Sequence, residues 1–154
     1  MTAALPVTSP LVTLFADGAC KGNGTAAARG GWGFRAEFAD GREVEKFGGE
    51  KPSTNNRMEL MAVIEALTQL PGAHQVSLFT DSKYVVDGIS SWLSGWKRRG
   101  WKTASGEAVK NKELWQQLDS INTKHQVTWN WVRGHTGHPG NERADELANL
   151  GVPD

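Results

Sequence analysis

Apolar and polar residues follow two kinds of pattern along the chain, and each kind predicts one type of secondary structure. Apolar runs or strict alternation predict strands at 11–17, 32–39, 42–48, 75–81 and 126–132. A 3.6-residue period predicts helices at 54–70, 82–89, 112–124 and 142–150. Asp40-Gly41, between the second and third strands, is a strong hairpin signal. Strands that alternate with helices after an opening hairpin predict an α/β domain with a mixed sheet.

The helix predicted at 54–70 carries a carboxylate where an apolar residue is expected. Its stripes of core-facing positions are formed by Leu60, Ala62, Val63, Ile64, Ala66, Leu67 and Leu70. Glu59 stands at the head of one of these stripes. Its carboxylate either reaches water from the first turn or points from the buried face toward an edge of the sheet.

Three aspartates each have an ordinary structural role when they are considered alone. Asp17 precedes a glycine, which is a turn signature, and Asp81 stands where a strand becomes a helix and is suited to capping it. Asp145 is expected in the first turn of the last helix, where a negative charge is favourable. However, two apolar strands both end in aspartate, and ligands of open α/β sheets bind beyond the carboxyl ends of strands. Parallel pairing of these strands would bring Asp17, Asp81 and Glu59 together.

Such a cluster of carboxylates implies a cation, because like charges a few ångströms apart otherwise repel one another. Oxygen ligands without cysteine or a dense set of histidines favour Mg²⁺ or Mn²⁺ over zinc. Two such ions can activate water and stabilise the leaving oxygen of a phosphodiester. His135, on a glycine-rich loop, is either solvated or a proton relay beside the metal. His138 is assigned to solvation or loop packing.

A basic, tryptophan-rich segment follows the second helix. Residues 97–112 hold six basic side chains against one acid, and Trp92, Trp96 and Trp101 are interleaved with them. Such a run is often a solvated face, and packing onto the core is the expected role of at least Trp92. Together with the acidic site, however, it indicates a polyanionic substrate. Asn55 and Asn56 are either helix-capping residues or minor-groove contacts.

Composition narrows the class of protein. The 154 residues have a formal net charge of zero, a single cysteine and no apolar run that approaches a membrane span. The N-terminus lacks a basic region, and prolines interrupt its apolar residues, so it makes a poor signal peptide. These features predict a cytoplasmic monomer with a loose leader at 1–9, a single domain at 10–154 and no membrane association.

Six blocks of the sequence resemble, in order and spacing, the motifs of type 1 ribonuclease H. They are FADGACKGN, TNNRMELMAVIEAL, TDSKYV, WKRRGWKTA, VKNKELWQQL and WVRGHTGHPGNERADELA. The resemblance covers residues 11 to 150. It implies a ribonuclease H-like fold with a five-stranded mixed sheet flanked by helices. It also implies Mg²⁺-dependent endonucleolytic cleavage of the RNA strand of RNA/DNA hybrids, which leaves 5′-phosphate and 3′-hydroxyl ends.

The resemblance also assigns roles to residues. Asp17, Glu59, Asp81 and Asp145 match the family's metal-binding, catalytic carboxylates, and His135 matches its loop histidine. Asn23, Asn55 and Asn56 match contacts to the backbone and minor groove of the hybrid, whereas Thr54 and Asn111 match a pocket for a DNA-strand phosphate. The basic protrusion that grips the DNA strand corresponds to Trp92–Lys102, and we assign substrate binding there to Trp96, Lys97, Arg98, Arg99, Trp101 and Lys102.

Three features depart from the family pattern, and two other functions are compatible with such a fold. The loop after Asp17 is longer, Pro52 stands where many members have a basic residue, and the chain ends soon after the last helix. A catalytically silent module that binds hybrids or duplex RNA would be expected to lose a carboxylate, yet all four are present. A DNA-cutting relative such as a resolvase or transposase core would not be expected to carry the TNNRMEL and WKRRGWKT blocks.

Overall fold

Five strands form one mixed sheet in the order β3-β2-β1-β4-β5. The computed structural model describes residues 11–134 and 136–154, so the leader predicted at 1–9 and His135 lie outside the described residues. The strands are β1 (Leu11–Lys21), β2 (Arg29–Phe38), β3 (Glu43–Glu50), β4 (Gln75–Thr80) and β5 (Gln126–Trp131). β1–β2 and β2–β3 pair antiparallel, whereas β1–β4 and β4–β5 pair parallel. The predicted α/β class and mixed sheet are therefore confirmed.

Helices cover both faces of the sheet. They are α1 (Asn55–Thr68), α2 (Lys83–Asp87), α3 (Leu93–Arg98), α4 (Lys112–Asn122) and α5 (Pro139–Gly151). On one face, α1 and α4 pack a continuous core against Val12, Leu14 and Ala16 of β1. On the other face, α5 approaches so closely that a Cβ on Gly33 of β2 would lie 2.5 Å from Leu147 Cβ. None of the helices in the described residues has the length and apolar composition needed to cross a membrane.

Two boundaries differ from the predictions in ways that affect the carboxylates. β1 does not end at Asp17-Gly18: it continues to Lys21, because Asp17 and Gly18 pair with Gly33 and Trp32 of β2. The turn interpretation of Asp17 is therefore wrong. α5 begins at Pro139 and not at Glu142, because His138 caps the helix by accepting a hydrogen bond from the Asn141 N–H. Asp145 consequently lies in the second turn, beyond the first-turn position that we expected.

The helical segment after β4 is also longer than the sequence pattern predicts. α2 continues through one π-helical turn, Gly88–Trp92, into α3, so that the helical conformation extends to Arg98. A Cβ on Gly88 would lie 2.1 Å from the buried ring of Trp115, so the absence of a side chain there lets this segment pack against α4. The helix predicted to end near Ile89 therefore continues, and Gly88 within it is a site of close packing.

A buried histidine pair joins three segments at the end of the sheet where β4 and β5 begin. His125 Nδ1 accepts a hydrogen bond from the His74 backbone N–H at 3.1 Å, and the His125 ring also bonds to the backbone of Leu67 in α1. Burial, together with the neighbouring His74, lowers the pKa of His125. The fold therefore holds this ring neutral, with Nδ1 free to accept.

This arrangement predicts a loss of stability in acid. The unfolded chain takes up a proton on His125 as the pH falls through about 6.5, and the native state resists that proton until its lower pKa is reached. We expect acidification from pH 7.5 to 5 to narrow the melting-temperature difference between the wild-type protein and His125→Asn, which keeps a non-titrating acceptor near Nδ1. Calorimetry of both proteins in identical buffers measures this, and a constant or widening difference would contradict the prediction.

Candidate active site

The candidate site forms where two central strands separate. The parallel pairing of β1 with β4 ends at Phe15 and Phe79, after which β4 stops at Thr80 while β1 continues with β2. Asp17 and Asp81 each stand two residues beyond that last pair. Ser82, not Asp81, caps α2 by accepting from the Val85 N–H, so capping does not explain Asp81. The two aspartates thus reach the same edge of the sheet, as the parallel-strand argument predicts.

Glu59 reaches this edge from the buried face of α1. Carboxylate oxygens of Asp17, Glu59 and Asp81 all lie within 4.8 Å of one another. The Gly18 N–H donates to Glu59 Oε1 and also, at 2.9 Å, to Asp17 Oδ1. A Cβ on Gly18 would lie 2.5 Å from the Glu59 backbone nitrogen, so only glycine allows α1 this close to β1. Glu59 is 5% exposed, and the interpretation that it reaches water is wrong.

The electrostatics of these three carboxylates favour a bound cation. Burial is the main cause that raises the pKa of Asp17 well above its usual range, and Glu59 and Asp81 raise it further. Burial and the nearby Asp81 also raise the pKa of Glu59. A divalent ion would offset this repulsion. Because this cluster of described residues offers only oxygen donors, it fits Mg²⁺ or Mn²⁺ better than zinc.

Asp145, from α5, lines the same cleft. It lines a cavity of about 400 Å³ together with Asp17, Glu59 and Asp81, although it is not among the three carboxylates within 4.8 Å. The loop after β5 also borders the cleft, since a Cβ on Gly134 would lie 2.7 Å from Asp81 Oδ2. The cleft therefore brings together all four carboxylates that the sequence singled out.

A second cavity, of about 480 Å³, adjoins the acidic cleft. It is lined by Asn23, Thr54, Asn55, Asn56, Tyr84, Lys110 and Asn111. Asn55, Asn56 and Tyr84 also line the acidic cleft, so the two cavities share a wall. All five residues expected to contact the hybrid backbone, the minor groove or a DNA phosphate thus lie around one cavity.

Hydrogen bonds hold several of these side chains in place. Thr54 caps α1 by accepting from the Arg57 N–H, so neither Asn55 nor Asn56 is the cap. Asn23 Oδ1 accepts from the Asn55 N–H at 3.0 Å, which joins the long loop after β1 to the start of α1. The side chains of Asn55 and Asn56 line the shared wall, and within residues 11–134 and 136–154 no hydrogen bond holds their amides.

Sequence reasoning missed two residues of the second cavity. Lys110 lines it as a cation, whereas Lys51, beside Pro52, donates to the Asp154 carbonyl at 2.8 Å and does not line it. The Tyr84 hydroxyl accepts from Asn111 Nδ2 at 3.3 Å and from the Trp115 indole at 2.9 Å. Both residues stand inside the quoted blocks TDSKYV and VKNKELWQQL, but no spacing rule distinguishes them from their neighbours.

The tryptophans of the basic segment differ from our expectation in which of them pack against the core. Trp96 and Trp101 pack against the core, and Trp96 contacts the Trp115 ring at 5.2 Å between centroids. Trp92, the residue assigned to packing, contacts Tyr84 and Trp96 but stays 39% exposed. The basic side chains are exposed, and Lys97 pairs with Asp119 of α4 at 3.0 Å. Their binding role stays a prediction.

Comparisons with known proteins agree with this architecture and with one another. The sequence profile of the family described as RNase H matches residues 9–152. A ribonuclease H of Cupriavidus metallidurans is 62% identical over 141 residues, covering 92% of this chain and 94% of the relative. A protein of Pseudomonas putida KT2440 named ribonuclease HI is 58% identical, covering 94% of this chain and 95% of that relative.

Solved structures extend the likeness to the fold. The crystal structure of LC9-RNase H1, described as a type 1 RNase H with the type 2 active-site motif, superposes with a TM-score of 0.83 at 40% identity. That match covers 97% of this chain and 74% of the other. A foamy viral protease-reverse transcriptase in complex with RNA/DNA hybrid superposes at 0.80 with 18% identity, which supports the fold alone. With a family profile over nearly its whole length and relatives named ribonuclease H and HI, this chain belongs to the type 1 ribonuclease H family.

Proposed function

We propose that this protein is an endoribonuclease that hydrolyses the RNA strand of RNA/DNA hybrids and leaves 5′-phosphate and 3′-hydroxyl ends. The observation that carries the proposal is the cluster of Asp17, Glu59 and Asp81, whose oxygens lie within 4.8 Å of one another just beyond the point where the parallel pairing of β1 with β4 ends. Relatives named ribonuclease H supply the class of reaction. Carboxylates buried in this way fit a metal-dependent hydrolase.

The metal-binding role belongs to the carboxylates of the cleft. Asp17, Glu59 and Asp81 would hold Mg²⁺, or Mn²⁺ in its place, and Asp145 would complete the site from α5. Two such ions held there would supply the means to activate a water molecule and to stabilise the leaving oxygen of the phosphodiester. The Gly18 N–H, which donates to both Asp17 and Glu59, holds the two carboxylates in their relative positions.

Substrate binding is proposed along the face that holds both cavities. Asn55 and Asn56 stand at the wall that the acidic cleft shares with the second cavity, where amides can bond to base edges and 2′-hydroxyls. Thr54, Asn111 and Lys110 would receive a phosphate of the DNA strand in the second cavity. The exposed cations Arg98, Arg99 and Lys102, with Trp96 and Trp101 beneath them, would hold the DNA strand further along.

Localisation and assembly stay predictions. We propose a cytoplasmic protein that acts as a monomer.

The first test compares end-labelled RNA in an RNA/DNA hybrid, in duplex RNA and as a single strand, each with Mg²⁺ and with chelator. We expect cleavage of the hybrid alone and only with the metal. The cleft needs a cation, and the binding face is proposed to recognise 2′-hydroxyls on one strand and DNA-like geometry on the other. Tight binding of the hybrid without cleavage in Mg²⁺ or Mn²⁺ would replace this proposal with the catalytically silent binding module.

Asp17→Asn separates catalysis from binding. The substitution preserves shape and the acceptor for the Gly18 N–H but replaces an ionisable carboxyl group of the cluster with a neutral amide. We expect cleavage to be abolished while affinity for the hybrid, measured in chelator, is largely retained. A comparable loss of affinity would mean that the residue is structural.

The same substitution tests the repulsion in the cleft. The native state keeps Asp17 protonated above its usual pKa, so it holds a proton that the unfolded chain releases as the pH rises above about 4. Native stability without metal therefore falls as the pH rises. In chelator, Asp17→Asn should raise the melting temperature by about 2–4 °C per kcal/mol of relieved repulsion, and more at pH 8 than at pH 5. A lower melting temperature would contradict the clustered-charge picture.

His135 is proposed as a proton relay beside the metal site. Because general acid–base groups contribute roughly 10²–10⁴-fold to rates, we expect His135→Ala to slow turnover about 10²-fold or more without abolishing it. Single-turnover kinetics with the enzyme in saturating excess over the hybrid would measure the effect, with His138→Asn, at the N-cap of α5, as the comparison for a change of a neighbouring histidine. Undiminished activity of His135→Ala would remove the assigned role.

A further inference from the structure

A lysine borders the acidic cleft but forms no ion pair with the described carboxylates that line it. Within the part of the chain that the structure describes, Lys83 is the only Lys or Arg that lines this cleft. It is exposed, and no ion pair among the described residues joins it to a carboxylate. A cation two positions from Asp81 would be expected to pair with the carboxylates unless another contact held it away.

That other contact is the ring of Trp131. The Lys83 ammonium lies 4.9 Å from the centroid of the Trp131 ring, within the range of a cation–π interaction. Trp131 is the last residue of β5, and its indole N–H donates to the Asp81 backbone carbonyl at 3.0 Å. The ring is therefore anchored to the same segment that carries the Asp81 carboxylate, and it holds the lysine at the mouth of the cleft.

Core packing does not account for Trp131 at this position, and the helix dipole does not account for Lys83. Trp131 is 43% exposed, so it contributes less to the core than Trp115, which is fully buried. Lys83 is the first residue of α2, where the helix dipole disfavours a positive charge. An exposed cation–aromatic pair at the rim of a negatively charged cleft is suited to a ligand that carries negative charge.

We propose that Lys83 binds a backbone phosphate of the cleaved strand next to the acidic cleft, and that Trp131 is the positioning residue that holds its ammonium there. The inference rests on the proposed nuclease function and adds a contact to it. Lys83 lines the carboxylate cleft and not the second cavity, which is why we assign it to the strand that is cut. A phosphate that enters the cleft would contact this ammonium next to four carboxylates. The positive charge of Lys83 would reduce the repulsion between the phosphate and those carboxylates.

The salt dependence of binding tests the phosphate contact. Binding of the RNA/DNA hybrid is measured in chelator between about 50 and 200 mM salt for the wild-type protein, Lys83→Ala and Lys83→Arg. We expect Lys83→Ala to weaken binding about three- to tenfold and to reduce the slope of log K against log salt by about one, with Lys83→Arg restoring both. Lys124→Ala, an exposed lysine before the opposite end of β5, is the matched control.

Trp131 is tested through its dependence on Lys83. Trp131→Leu removes the ring face, so it should weaken binding and lower the salt slope in the wild-type background but change little in Lys83→Ala. Trp131→Phe keeps an aromatic face and should retain most of the affinity, which separates the lysine contact from the lost indole hydrogen bond. Additive losses in the double variant would overturn the positioning role.

Failure of this inference differs from failure of the proposed function. If the wild-type protein cleaves the hybrid and Lys83→Ala keeps the wild-type affinity and salt slope, the phosphate contact is wrong while the nuclease stands. If the wild-type protein cleaves none of the RNA substrates, the nuclease proposal fails. Melting temperatures of all variants identify any that are unfolded, and Lys83→Ala at its exposed position provides the test even if Trp131→Leu does not fold.

Discussion

Repulsion among three carboxylates is the constraint around which this structure is organised. Asp17, Glu59 and Asp81 come from a strand interior, a helix and a strand end, and their oxygens lie within 4.8 Å of one another. Burial raises the pKa of both Asp17 and Glu59, which shows that burying their ionised forms is unfavourable. Contacts elsewhere in the fold must therefore offset the loss of folding stability at the site. The fold does so with the β1–β2 ladder, the core between α1 and β1, and the shared donor at Gly18.

The distribution of charge follows from the same constraint. A protein with no net charge has to create attraction for a polyanion locally, and this chain has exposed bases beside its acidic cleft. The carboxylates line the cleft, while Lys110 lines the adjoining cavity and the exposed cations of α3 lie further along. Lys83 stands at the boundary, held by an aromatic face and free of any ion pair among the described residues. A phosphate backbone laid on this surface would meet cations next to the acidic cleft.

Local sequence patterns predicted the strands and helices well where neighbouring residues determine the backbone conformation. The apolar strand runs, the helix at α1 and the hairpin at Asp40-Gly41 all formed near their predicted bounds, because periodicity and turn chemistry act over a few residues. The errors arose where a distant contact determined the conformation. Gly18 looked like a turn but lies in a strand, and the helix predicted to end near Ile89 continues to Arg98 with Gly88 packed on Trp115. In both cases the glycine lets another element pack closely against the backbone. A single sequence does not distinguish such a glycine from one that allows a turn.

For the candidate site too, some features follow from the sequence and others only from the tertiary structure. The sequence by itself identified the candidate residues for the chemistry, because a carboxylate at the end of an apolar strand or in the buried stripe of a helix is costly unless a partner compensates its charge. Six motif blocks also indicated the family. Tertiary structure alone decided which side chains share a cavity. It joined Asn23 to Asn55, put Lys110 in the second cavity where Lys51 does not reach, and set Lys83 over Trp131. These contacts connect segments far apart in the chain, and their geometry depends on how α1, α4 and β5 pack around β1 and β4, which no local pattern encodes.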